Sequence, residues 1–443
     1  MTRVPDAGPP GAGPPHDTPP HGTLPYDTPP YDTPVHDTLM HDAPVVGGRP
    51  GEGQQAAAEG SLVRAAAELA AGARGPAADW DRAGGLPDSV RKDMASAGLL
   101  GADLPPRYGG AGLGPAALGE AAAHLGGACS ALRGLLTVQG MVAAALARWG
   151  TREQRADWLP RLASGELTAG FAATEQAAGS ALGAVETRID DPGDGADIEV
   201  SGRKKWITFG AVADVFLVLG KSRGKPATVL VEADRTGVSR EPVTGQLGMR
   251  AAWIAHVTFD AVRVPRNHLV APPGLGLSHV AATALDHGRF TVAWGCVGMA
   301  EACVADAASH AATRSQGGVP LADHQLVRSL LARCAVDTAG ARELARRAAE
   351  FRAPGPGRGV METIVAKYAA AAAAASVSRD TVQILGSAGC EPDSRAGRHF
   401  RDAKIMEIIE GAQHVSELHI ADRLLRQFGA PPASGTRHPG EPA

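Results

Sequence analysis

Arg401-Asp402-Ala403-Lys404-Ile405-Met406-Glu407-Ile408-Ile409-Glu410-Gly411 lies near the C-terminal end of a 443-residue chain. On spacing alone Glu410 is an ordinary helix-end charge, and Gly411 leaves backbone room beside it. The stretch belongs to a long helical region, from about Leu277 to Phe428. Four long segments are visible there, broken near Gly317-Gly318, Pro354–Gly359 and Gly386–Gly397. Ala369 to Ala375 is an unbroken alanine run. Alanine has the best helix propensity and lets helices approach closely, so the region predicts a tight four-helix bundle over 275–428.

Upstream, between about Thr168 and Pro273, the period changes. Ile198-Glu199-Val200, Val215-Phe216-Leu217-Val218, Thr228-Val229-Leu230-Val231 and His256-Val257-Thr258-Phe259 are runs of strand length. No helical pattern of 10–15 residues intervenes, which predicts an antiparallel β domain over 168–274. From Gln54 to about Gly165 the pattern is helical again, with Leu62, Ala65, Ala66, Leu69 and Ala70 on one face. Asp88 or Ser89 is the expected cap of a second helix, and an N-terminal helical domain is expected over 57–167. The fold class is therefore α+β: helices, a central antiparallel β domain, then a bundle.

Residues 1–56 differ from all of this. They are rich in Pro, Gly, His, Asp and Thr. His16, His21, Tyr26, Tyr31, His36 and His41 each open a five-residue unit, most continuing Asp-Thr-Pro. Proline at this density blocks regular hydrogen bonding, so a disordered tail is expected. Metal capture by the His/Asp pairs is the alternative, at the cost of ordering a flexible chain. Residues 429–443 are expected to be a second flexible tail.

Bulk properties exclude several classes. Net charge is −4, with no basic excess to suggest nucleic acid or a membrane surface. The five cysteines are widely spaced and include no CxxC pair, so neither a zinc site nor a disulfide framework is expected. There is no basic segment followed by an apolar one at the N-terminus, and no uninterrupted apolar run reaches the ~20 residues that span a bilayer. A reducing cytoplasm is the expected location.

Several short stretches carry chemistry. Gly170-Phe171-Ala172-Ala173-Thr174-Glu175-Gln176-Ala177-Ala178-Gly179-Ser180 combines small residues, which let backbone approach an anion, with hydroxyl donors. Lys205-Trp206-Ile207-Thr208 puts an aromatic in a strand. Arg314-Ser315-Gln316-Gly317-Gly318 precedes Gln325, and a guanidinium suits phosphate. Asp286-His287-Gly288-Arg289 and Gln383-Ile384-Leu385-Gly386-Ser387-Ala388-Gly389 complete the set.

Taken in order, these stretches resemble the acyl-CoA dehydrogenase family over roughly residues 58–427. The C-terminal stretch is similar to R-D-A-K-x-x-x-I-x-E-G, and the resemblance implies that Glu410 is the base that removes the α-proton of a thioester. A dry site raises a carboxylate's pKa and strengthens it as a base. The T-E-x-x-x-G-S loop implies FAD contacts from Phe171, Ala173, Thr174, Gly179 and Ser180, with Ala181 where the family usually has Asp. The K-x-W-I-T stretch implies that Trp206 and Thr208 border the isoalloxazine. Arg314, Gln325, Gln383 and Gly386 are implied to serve the FAD of a neighbouring subunit, hence a homodimer or homotetramer. Gly317 departs from the family's Phe and Ser387 from a Gly. Arg289, in the family's D-x-x-R, is implied to orient the base or tune its pKa. Pro105–Gly112 is similar to P-x-x-Y-G-G-x-G, and Gly150–Gln154 to G-T-x-E-Q.

A finer resemblance rests on Cys129-Ser130-Ala131-Leu132-Arg133, Val138-Gln139-Gly140-Met141, Val292-Ala293-Trp294-Gly295-Cys296-Val297-Gly298 and Met406-Glu407-Ile408-Ile409-Glu410-Gly411. These stretches look like the branch that makes methoxymalonyl-type polyketide extender units. That branch implies a short three-carbon acyl group on acyl carrier protein. An ordinary short-chain CoA thioester, a flavin oxidase and a non-catalytic carrier-binding protein are the competing readings. Electron-transfer flavoprotein or oxygen is the implied electron acceptor.

Overall fold

The computed structural model describes residues 52–192 and 197–429. The His/Tyr-Asp-Thr-Pro repeat, and the metal capture considered for it, lie outside the described residues. Six helices come first: α1 (Glu52–Ala73), α2 (Ala77–Ala83), α3 (Asp88–Ser96), α4 (Pro115–Ala128), α5 (Ser130–Trp149) and α6 (Arg152–Ala163). Helix α1 begins at Glu52, inside the segment assigned to the tail, and buries Ala66 and Ala70. Asp88 is the first helical residue of α3 after Pro87, and neither Asp88 nor Ser89 caps it. Helix α6 has a full capping box: Gln154 N donates to Thr151 Oγ1 and Thr151 N donates to Gln154 Oε1. The Gln154 amide also donates to the carbonyls of Asn267 and Leu269, tying the helix to the β domain.

The β domain contains β1 (Ala169–Ala172), β2 (Arg188–Asp190), β3 (Ile198–Ile207), β4 (Val215–Ser222), β5 (Lys225–Glu232), β6 (Val238–Pro242), β7 (Ala255–Val264) and β8 (Leu269–Val270). They form one sheet in the order β6-β7-β3-β2-β4-β5-β8, with β1 beside β4. The expected antiparallel sheet is in fact mixed. β1 runs parallel to β4, with Ala169 opposite Val215, and β2 also meets β4 in parallel. Tertiary hydrogen bonds set this arrangement: Thr168 N donates to the Asp214 carboxylate, and Asp214 N donates to Thr168 O, so both strands start together. Elsewhere short turns dictate antiparallel pairing. β4 and β5 are joined by Arg223-Gly224, both with positive φ, as a two-residue hairpin requires.

The C-terminal region contains α7 (Ala282–Thr313), the hairpin β9 (Ser315–Gln316) and β10 (Val319–Pro320), then α8 (Gln325–Arg352), α9 (Val360–Leu385), α10 (Ser387–Cys390), α11 (Arg395–Met406) and α12 (Gln413–Gln427). Three helices are long, and the fourth expected segment is divided into α11 and α12 by a turn at Glu410-Gly411. Helix α7 is the axis of the molecule and packs on α4, α5 and α9. Small residues permit this: a Cβ on Gly119 would lie 2.3 Å from Trp294, and one on Gly298 would lie 1.9 Å from Ala123 O. Ala370, Ala371 and Ala374 from the alanine run are buried in the core. By length and composition α5, α9 and the helical stretch Gly276–Thr313 are apolar enough to cross a membrane. Their apolar character instead arises from several broken runs, and much of it is packed inside the fold.

Candidate active site

The loop after β1 is built around a buried ion pair. The Glu175 carboxylate accepts from Glu186 N (2.6 Å), Thr187 N (3.0 Å), Thr187 Oγ1 (2.6 Å) and Lys204 Nζ (2.7 Å). Lys204 also donates to the carbonyls of Ala173 (3.0 Å) and Leu219 (2.6 Å). Burial pushes the Glu175 pKa up, but the Lys204 and Thr187 bonds outweigh it and hold the carboxyl below its ordinary value. This clip leaves residues 176 and 177 and 179 to 181 exposed. Gly179 has open space on its side-chain face.

The same loop meets the Trp206 strand. Lys205 N donates to Thr174 O at 2.9 Å. Trp206 has φ 60, a left-handed value that costs energy for a bulky residue, and its ring is 56% exposed. Its N donates to His256 Nδ1, and the two rings meet edge to face at 5.4 Å. Thr208 lies half-buried on the side of this strand that faces α5, near Gly134. An open aromatic face, hydroxyl side chains and an exposed loop of small residues therefore share one edge. These features fit a flavin with its pyrophosphate: a planar ring to cover and an anion for the loop.

Helix α5 connects this edge to Glu410. Gly134 borders Thr208, Phe209 and Met249. Arg133, buried, donates to Thr137 Oγ1 and reaches the sulfurs of Met406 (3.0 Å) and Met249 (3.9 Å). Met141, two turns further along α5, borders Gly288 beside the Glu410 carboxylate.

Glu410 does not lie on a helix. Helix α11 ends at Met406, and Glu410 (φ 52) and Gly411 (φ 100) form a left-handed turn before α12. Glu407 is the C-cap of α11 and pairs with Lys404 at 2.8 Å. The Glu410 carboxylate projects onto Gly288, where an added Cβ would stand 2.7 Å from its Oε2. Oε2 is buried without a hydrogen-bond partner among the described residues, although the residue as a whole keeps some accessible surface. Burial pushes its pKa up to about 7, against the pull of Arg289, Lys367, Arg133 and His287. Arg289 Nε donates to Glu410 O at 2.8 Å, so it grips the backbone of the turn rather than the carboxylate.

Arg314, Gln325, Gln383 and Gly386 fall elsewhere. All four are exposed at the end of the bundle where Ala311, Val327 and Ile384 pack together. Gly317 and Gly318 take φ 63 and 84 in the β9–β10 turn, a conformation that a Phe at 317 would adopt only with strain.

Motif reading alone misses several groups. Lys204 and Glu175 lie within or beside the motif stretches but receive no role from them, and alternation in β3 is the signal that places Lys204 inward. Lys367, fully buried, donates to Gly411 O at 2.7 Å; its signal is a lone cation in an alanine-rich helix. His287 and Asp103 meet at 3.1 Å, and no local pattern marks that contact.

Similarity to known proteins agrees with this geometry. Three family descriptions match in chain order: Acyl-CoA dehydrogenase, N-terminal domain over residues 57–166, middle domain over 170–262 and C-terminal domain over 276–425. Short-chain specific acyl-CoA dehydrogenase, mitochondrial, of Sus scrofa is 31% identical over 359 residues, covering 80% of this chain and 86% of that protein. The solved structure of FkbI, for biosynthesis of the methoxymalonyl extender unit of the Fk520 polyketide, is 39% identical with TM-score 0.76, covering 82% of this chain and 99% of its own. Butyryl-CoA dehydrogenase from Megasphaera elsdenii is 26% identical with TM-score 0.79, covering 83% and 98%. The chain belongs to the acyl-CoA dehydrogenase family, FAD-dependent oxidoreductases acting on the CH–CH bond of acyl thioesters.

Proposed function

We propose that Glu410 removes the α-proton of a short acyl group carried by acyl carrier protein, as a step in making a methoxymalonyl-type extender unit. The observation that supports the base is its Oε2, buried beside Gly288 with no partner among the described residues to consume its lone pairs. A carboxylate with a pKa near 7 suits proton abstraction, since it is largely ionised at mildly alkaline pH and still basic enough to take a weakly acidic proton. Buried Arg133, Arg289 and Lys367 keep cations near the carboxylate and limit the rise. Bound along the Thr174–Ser180 loop and Trp206, FAD would supply the acceptor for the hydride that leaves the β-carbon.

The likeness to FkbI, at 39% identity over almost the whole of that structure, supports the extender-unit reading, and with it the carrier-bound acyl group that the motif resemblance implies. The 31% identity to a short-chain acyl-CoA dehydrogenase supports the second reading, a CoA thioester. Glyceryl, malonyl-semialdehyde and butyryl thioesters, each on CoA and on carrier protein, distinguish them. Anaerobic flavin bleaching should be fastest with a three-carbon carrier-bound group. Faster bleaching by butyryl-CoA would transfer the assignment to the CoA reading. Reoxidation by electron-transfer flavoprotein or by oxygen, the latter with peroxide release, identifies the acceptor.

The exposed group Arg314, Gln325, Gln383 and Gly386 supports a homo-oligomer in which one subunit completes the cofactor site of another. Light scattering should give a dimer or tetramer. A monomer that retains tight FAD would rule this out.

A further inference from the structure

The Glu410-Gly411 turn is held by more than its own backbone. Both carbonyls accept a hydrogen bond from a cation on a different helix. Arg289 Nε of α7 reaches Glu410 O at 2.8 Å, and Lys367 Nζ of α9 reaches Gly411 O at 2.7 Å. Lys367 has no exposed surface, so its ammonium has given up its hydration, and its ordered bond is to a peptide carbonyl rather than to a carboxylate. Burying a lysine for one backbone contact is expensive unless the contact fixes something. What it fixes is a left-handed turn: Glu410 at φ 52 and Gly411 at φ 100, of which the former is disfavoured for a residue with a Cβ. With this turn in place the carboxylate stands against Gly288.

We propose that Lys367 is a positioning residue for the base: by holding Gly411 O it locks the left-handed turn that points the Glu410 carboxylate into the space beside Gly288. The inference rests on the reading of Glu410 as the base. The charged and titratable groups facing Glu410 are Arg133 on α5, His287 and Arg289 on α7, and Lys367 on α9. Lys367 itself faces Cys296 and Arg289 on α7 and Glu407 at the end of α11.

The test uses the full-length, FAD-loaded protein and its Lys367→Met, Lys367→Arg and Glu410→Gln variants. Butyryl-CoA and the carrier-bound three-carbon thioesters serve as probes, using whichever bleaches the parent flavin fastest. Lys367→Met should bind FAD as the parent does yet reduce it about 10–100-fold more slowly, the size of effect that a small misplacement of a catalytic group produces. Loss of a nearby cation raises a carboxylate's pKa, so the rising limb of its pH–rate profile should move to higher pH. Lys367→Arg should recover part of the rate and the parent profile. A purely structural lysine would lower the melting temperature and leave the profile unmoved, which would overturn the proposal. If the methionine variant does not fold, Lys367→Gln, of similar length and uncharged, takes its place with the same expectations. A crystal structure of the variant gives a readout independent of turnover: Glu410 should leave the left-handed region, and an unchanged turn also overturns the proposal. If Glu410→Gln bleaches normally, the base assignment itself fails, and the crystal structure still decides what Lys367 does to the turn.

Discussion

Two buried lysines, one in the β domain and one in the bundle, each stand close to a glutamate with opposite results. Lys204 binds the Glu175 carboxylate directly, and three further donors complete the carboxylate's shell. That carboxyl is held below its usual pKa by its donors and serves to shape the loop. Lys367 binds the backbone next to Glu410 and leaves the carboxylate alone. Glu410 Oε2 has no partner among the described residues, and burial pushes its pKa up to about 7. Burial is common to both pairs. The number of hydrogen bonds spent on the carboxylate separates the glutamate that shapes a loop from the one proposed as the base.

The largest effect expected from this contrast is on rate. Glu410→Gln keeps the shape but cannot take a proton, and flavin reduction in a stopped-flow experiment should fall by roughly 10²–10⁴-fold with FAD still bound. Glu175→Gln should instead weaken FAD retention while the reduction rate of the flavin that remains bound changes little. If the two variants showed the same phenotype, the contrast would collapse.

Stability should show the reverse order. Removing one partner of a buried pair leaves a bare charge, so Lys204→Met should cost about 3–5 kcal/mol in denaturant unfolding. The double variant Lys204→Met with Glu175→Gln should lose less than the sum of the single losses. Additive losses would mean that the two side chains are not coupled.

A smaller and pH-dependent effect follows from the sign of the Glu410 shift. Its folded pKa lies above the unfolded value, so the protonated form favours folding. That contribution is present below about pH 4.5 and is lost as pH rises through about 7. Glu410→Gln should therefore be more stable than the parent at pH 8, on the order of 1–3 kcal/mol, with the advantage gone near pH 5. Thermal melts at the two pH values check this, and an equal gain at both would refute the shift.

The smallest effect is steric. A Cβ at Gly288 would approach Glu410 Oε2 to 2.7 Å. Gly288→Ala should push the carboxylate off its position and slow reduction by about 10-fold, with FAD binding unchanged. Measuring FAD affinity alongside the rate separates this from general damage, and a parent-like rate would show that the turn can yield.

Much of this was legible in the chain. Glu410, Thr174, Ser180, Trp206 and Thr208 sit in short motifs whose polar types stand out against an alanine-rich background; the structure ties Thr174 to the Trp206 strand and sets Thr208 near Gly134 of α5. The helical and strand periods located all three regions. The mixed sheet was not legible, because the parallel β1–β4 pairing depends on Asp214 reaching Thr168, 46 residues away in the chain. The division of the last bundle segment was missed too. Met406 through Glu410 has the composition of a helix, and the contacts that hold the turn, Arg289 of α7 on Glu410 O and Lys367 of α9 on Gly411 O, come from distant parts of the chain.

By itself, then, the sequence determined the order of helical, β and helical regions and the residue types available at each motif, because periodicity and local chemistry act over a few residues. Only the tertiary structure decided which glutamate carboxylate is surrounded by donors and which is buried without them. Those outcomes depend on burial and on charges that approach within hydrogen-bond distance from positions 29 residues apart for Lys204 and Glu175 and 44 apart for Lys367 and Gly411. No local pattern encodes such distances, since they are set by how α5, α7, α9 and the sheet pack around one another.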